Sequence, residues 1–130
     1  MGQCTPSLKA NYMEFRDAMH NLVYFADRIK DLDREIVRTE VESNKLLAES
    51  VENGLICFEK ANSVHEELER IKGLRMEIEE AEKRVREARE YLYAHLLPFE
   101  GYRIIYDYVP EQGNGRTCQV FLEEDEVKFI

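Results

Sequence analysis

From Leu8 to Leu97 an apolar residue returns every third or fourth position in a field of Glu, Arg and Lys. That spacing is the a/d repeat of helices that wrap around one another. The three prolines, Pro6, Pro98 and Pro110, all lie outside the repeat, as an uninterrupted helix requires. The constraint is architectural: long paired helices, then a different structure after Pro98.

Two tracks carry the repeat. The first is Leu8, Phe15, Leu22, Ile29 and Ile36, with Tyr12, Met19 and Ala26 four positions on, and Phe25 and Leu32 on the other side of the stripe. The second is Cys57, Val64, Ile71, Ile78, Val85 and Leu92. Its partners stand four positions on at Ala61 and Leu68, then three on at Leu74, Ala81 and Ala88. The change of offset near Gly73 predicts a local change of winding. Between the tracks Ser43 and Ser50 fall where apolar residues are due, and the pattern weakens. Two signals then compete for the turn. Asn53-Gly54 is a turn dipeptide, and Ser63-Val64-His65-Glu66 reads as a capping box that starts a helix.

The expected fold is therefore mainly α. Residues 1–98 form a long antiparallel helical hairpin, a coiled coil, with its turn within 53–63. A break at 53–54 gives helices 8–52 and 55–97, each about 65 Å long at 1.5 Å per residue. After Pro98 the period becomes two: Tyr102, Ile104, Tyr106 and Tyr108 alternate with Arg103, Ile105, Asp107 and Val109, and Cys118, Val120 and Leu122 with Thr117, Gln119, Phe121 and Glu123. Residues 99–130 are expected to form a small antiparallel β-hairpin, or a three-strand meander if 127–130 adds a strand after the Glu123–Glu126 turn. So small a sheet needs a helix to pack on. Leu22-Val23-Tyr24-Phe25 spans about 300° of a helix at 100° per residue, more than one coiled-coil partner covers. The Tyr-rich face is expected to rest there, around Met19–Phe25. The strands are expected after both helices, with none between them.

Composition supports an extended helical plan. Charged residues make up 35% of the chain, well above the roughly one quarter of ordinary globular domains. The formal net charge is -9, and residues 99–130 carry -4 of it. A basic groove for nucleic acid is not expected from such a chain. Cys4, Cys57 and Cys118 are widely spaced and odd in number, which points to a reducing, cytoplasmic setting; Cys57 and Cys118 lie on apolar tracks and read as buried thiols. No apolar run approaches the ~18 residues of a membrane span. Met1-Gly2-Gln3-Cys4 resembles the start of an acylation signal, but Pro6 stands where Ser or Thr is required. Thr5-Pro6 reads instead as a helix start, N-cap then N1.

No catalytic constellation emerges. Asp17-x-x-His20 has the spacing of a bundle metal pair, but the motif does not recur and supporting glutamates are not placed for it. Gly113-Asn114-Gly115 lacks the lysine of a phosphate loop and is flanked by strand patterns. No metal, cofactor or enzyme activity is expected.

The expectation is a non-enzymatic protein-interaction or assembly protein: a helical rod for oligomerisation, most simply a homodimer, with a small β docking head. The alternative is a small acidic inhibitor or regulator that blocks a basic surface of a partner protein. Candidate partner-binding residues are Tyr102 and Phe121 for contact area and Glu123, Glu124, Asp125 and Glu126 for charge. Candidate oligomer-interface residues are Leu22, Phe25, Leu55 and Phe58, which belong to apolar runs larger than one hairpin buries. The rival partner surface is the distal turn around Leu55–Phe58.

Overall fold

The heptad stripe on the first helix does not stop where its apolar residues do. In a computed structural model, which describes residues 6–52, 54–111 and 113–130, helix α1 runs over Pro6–Ser50. Its inward stripe reads Leu22, Phe25, Ile29, Leu32, Ile36, Thr39, Ser43, Leu46 and Ser50, every one buried or half-buried. The last third of the stripe is thus mostly hydroxyl-bearing. The Thr39 hydroxyl donates to the Glu35 carbonyl at 2.8 Å, and the Ser50 hydroxyl to the Leu47 carbonyl at 2.7 Å. Each satisfies itself on its own helix, so burial leaves no orphaned donor.

The connection turns at Gly54. Strands β1 (Val51–Glu52) and β2 (Leu55–Ile56) pair antiparallel, Val51 opposite Ile56 and Glu52 opposite Leu55. Gly54 has φ +79, which a glycine adopts without a Cβ clash. Asn53 lies outside the described residues. The Cys57 N–H donates to the Ser50 carbonyl at 2.7 Å and closes the loop. Two corrections follow. A short strand pair does lie between the helices, and Ser63 does not start a helix. Helix α2 spans Phe58–Leu96, its first turn closed by Ala61 N–H on the Cys57 carbonyl at 2.9 Å. Ser63 sits inside it, its hydroxyl turned back to the Glu59 carbonyl at 3.3 Å. The expected helix start at Thr5 lies outside the described residues, as do Gly2 and Cys4.

The register of α2 also differs from expectation. Val64, Ile71, Ala81, Ala88 and Leu92 are buried, and Glu67, Leu74, Ile78, Val85 and His95 half-buried. The second position stands three residues on throughout, so there is no offset change at Gly73. Leu68 is exposed, and Glu67 takes the inward position instead. Cys57, expected on the buried track, is exposed because it belongs to the connection and not to the helix.

The chain divides into two compact units. One comprises the chain up to Ala26 with Glu82–Ile130; the other is Asp27–Ala81. In the second unit α1 and α2 lie antiparallel: Arg28 meets Glu77 at 3.4 Å and Glu35 meets Arg70, so seven residues up one helix match seven down the other. Leu32, Ile36, Val64, Ile71 and Ala81 form the buried seam beneath these pairs. The exposed pairs are worth at most about 1 kcal/mol each, whereas a fully buried leucine contributes about 1.5–3 kcal/mol, so the seam holds this unit.

In the first unit the helices meet a sheet. After a 3₁₀ turn at Leu97–Phe99, strands β3 (Arg103–Tyr108), β4 (Arg116–Glu123) and β5 (Glu126–Phe129) form an antiparallel meander with β4 central. Tyr106, Tyr108, Cys118, Val120, Leu122 and Val127 face inward. They pack on Met19, Leu22 and Val23 of α1 and on Ala88, Leu92 and Leu96 of α2. This is the site at which the apolar run at 22–25 required a cover. The architecture is thus the expected helical hairpin with a three-strand antiparallel sheet at the C-terminus.

Candidate functional site

Two surfaces carry the residues singled out from the sequence, one in each unit. The first is the β4–β5 turn. Glu123 pairs with Glu126 in the ladder, and Glu124 and Asp125 form the two-residue turn between them. All four are exposed and share this one tip. The tip is not a bare cluster of charge. Lys128 Nζ lies 3.5 Å from Glu123 and 3.6 Å from Glu124, and the Tyr93 hydroxyl donates to Asp125. Partial burial works to lower the Lys128 pKa, but Glu124 and Glu123 outweigh it and hold it above its ordinary value. The bond to Asp125 pushes the Tyr93 phenol above its ordinary value as well. Lys128 and Tyr93 were not singled out from the sequence. Lys128 was legible, being four residues after Glu124; Tyr93 was not, because only the fold brings it to the turn.

Phe121 departs from the expected role. It alternates with the core residues of β4 and so stands on the outward face, opposite Arg103 on β3 and Lys128 on β5. Yet it is only 7% exposed. The Arg103 guanidinium lies 4.4 Å from its ring centroid, a cation–π cover that leaves little ring for a partner. Tyr102 precedes β3 and is 70% exposed, so it is available, but it is not part of the Tyr-rich inward face. That face consists of Tyr106 and Tyr108. The Tyr106 hydroxyl lies 3.0 Å from His20 Nδ1. The Tyr108 and His20 rings lie 5.2 Å apart.

The four expected oligomer-interface residues separate. Leu22 is wholly buried in its own chain's core, because the sheet covers it, and so offers no interface. Phe25 is half-buried, edge-on to Tyr24 at 4.9 Å. Leu55 and Phe58, by contrast, are 74% and 80% exposed, with Ile56 between them at 63%. A two-residue ladder is too short to fold back on either helix, so Leu55 and Ile56 stand in solvent, and Phe58 is the first residue of α2. Val51 and Leu47, also exposed, extend the patch back onto α1.

The second unit also carries a groove of about 410 Å³ between the helices, lined by Glu40, Ser43, Asn44, Leu68, Ile71, Lys72, Arg75, Met76 and Glu79. Leu68 and Met76 are its exposed apolar residues, and the exposed pair Glu40–Arg75 at 3.8 Å stands on its rim. Among the described residues no three His, Cys, Asp or Glu side chains converge as metal ligands do, and no helix is long and apolar enough to cross a membrane.

Comparison with protein-family models, with curated proteins and with solved structures gave no match.

Proposed function

We propose that this chain is a non-catalytic interaction or assembly protein that captures a protein partner through the apolar connection between its helices. The observation that carries this is the exposure of Leu55, Ile56 and Phe58 where the short hairpin leads into α2. Three large apolar side chains in solvent at one place mark an interaction surface more often than a structural need. Nothing in the fold of the second unit requires them, since its buried seam is complete without them. Phe58 also has the character of an aromatic anchor, the kind of residue that carries most of the energy at protein interfaces.

The acidic turn supports the alternative of a charge-driven blocker less well. Lys128 and Tyr93 already engage three of its four carboxylates. What remains is a modest charge on a solvated tip.

Co-purification of the full chain from its native host, compared with a Leu55→Ser, Phe58→Ser double variant, tests the proposal. The variant is expected to lose the partner and keep its helical signal, because both side chains are exposed. A partner retained by that variant and released steeply by salt would transfer the function to the acidic turn.

A further inference from the structure

Helix α1 carries a second heptad seam that its own chain leaves open. Val37, Val41, Asn44 and Ala48 follow one another by four, three and four residues, the spacing of a coiled-coil stripe. All four are exposed, Val37 and Val41 at 61% each. The stripe lies across α1 from the inward one: at 100° per residue its centre is about 140° away from that of the buried Ile36, Thr39, Ser43 and Ser50. Exposed Val51 directly follows the helix where the next member of the stripe is due. Toward the N-terminus the same positions hold Lys30 and Arg34, so the seam is confined to the second unit.

We infer that this seam pairs in parallel and in register with the same segment of a second copy of the chain, giving a homodimer. The flanking charges select both the occupant and its direction. In a parallel, in-register pair, a residue flanking one side of the seam faces the residue five positions later on the partner helix. Here Asp33 meets the second copy's Arg38, and Glu40 meets the second copy's Lys45, each contact formed twice by symmetry. An antiparallel pair centred on the seam brings like flanks together instead, Arg38 against the second copy's Lys45. Asp33, Arg38 and Lys45 have no ion-pair partner in the chain among the described residues, and Glu40 has only its long, exposed contact to Arg75. Asn44 is the one polar residue within the seam. In register, its amide faces the same amide of the second copy, the device by which a single buried asparagine fixes alignment and oligomer state.

Sedimentation equilibrium of the full chain tests this. The wild type is expected to dimerise at micromolar concentrations. Val41→Asp is expected to be monomeric with an unchanged helical signal, since Val41 is exposed in the single chain. Asp33→Arg and Arg38→Asp are each expected to weaken the dimer about tenfold, since each sets like charges together twice. Mixed, the two variants are expected to form a heterodimer as tight as the wild type, because both symmetric contacts then join an arginine to an aspartate again. A wild type that stays monomeric at high micromolar concentration, a dimer that survives Val41→Asp, or variants that gain nothing on mixing would each overturn the proposal. The connection is untouched by these substitutions, and Leu55→Ser, Phe58→Ser leaves the seam intact, so loss of the dimer and loss of an external partner are read separately.

Discussion

Glu124 and Asp125 have φ of 54° and 63°, the left-handed region that side chains with a Cβ ordinarily avoid. Positive φ at both central positions is the type I′ turn that suits two twisted strands, and asparagine or glycine adopts it at less cost. The chain offsets part of the strain with side-chain contacts, Asp125 accepting from Tyr93 and Glu124 lying near Lys128. Those contacts are exposed, so their worth is small. Glu124→Asn is therefore expected to raise stability by about 0.5–1 kcal/mol, since left-handed backbone costs an ordinary residue roughly 1–2 kcal/mol and asparagine less. Urea unfolding of the variant beside the wild type measures it. A loss of stability would mean that the Lys128 contact outweighs the backbone strain.

At the scale of elements, periodicity made the two helices and three C-terminal strands legible, because a stripe of 3.5 or 2 residues survives any tertiary detail. Three features were not legible, each for a physical reason. Ser43 and Ser50 blurred the end of α1, although both are buried there and the Ser50 hydroxyl is bonded to its own helix. Ser63 and Glu66 imitate a helix start, but α2 had already begun at Phe58 and was under way. Leu68 drew the register of α2 by its hydrophobicity, whereas continuity with Val64, Ile71 and Leu74 places Glu67 inward. The candidate surfaces divided likewise: exposure at Leu55 followed from a short connection, while burial of Phe121 depended on Arg103 reaching across strands. The register carries its own test. Ile71→Ala is expected to cost about 2–5 kcal/mol, as for a buried isoleucine, and Leu68→Ala about 1 kcal/mol or less. Thermal or urea melts of the two variants, compared at a concentration where neither self-associates, decide it; equal losses would restore the offset change near Gly73.

For the molecule as a whole, four groups in the unit that holds the sheet have their titration shifted by the fold, each in the same direction. Tyr91, Tyr93, Tyr106 and Lys128 are each held above their ordinary values. For Tyr106 the main cause is burial against the helices; Asp17 and Cys118 add to it and Arg16 opposes it. A raised value in the folded state means that the folded chain keeps protons the unfolded chain has released. Stability from these four groups is therefore fully present below their ordinary values of 10.0 and 10.5, and is lost as pH rises through the folded ones. At neutral pH they leave stability level. Tyr106 is the buried member, and an ionised phenolate there faces the apolar inward side of the sheet and the His20 ring. Melting temperature is thus expected to be flat, so far as these groups decide it, from neutral pH to about pH 9 and to fall above about pH 10. Tyr106→Phe removes the buried ionisation together with the hydroxyl's contact to His20. It is expected to cost about 1 kcal/mol at neutral pH, where the lost hydrogen bond is felt. Above pH 10 the variant's melting temperature should fall less steeply than the wild type's, so the two curves converge. Curves that stay parallel would place the alkaline sensitivity on the half-buried Tyr91, Tyr93 and Lys128, and not on the core beneath the sheet.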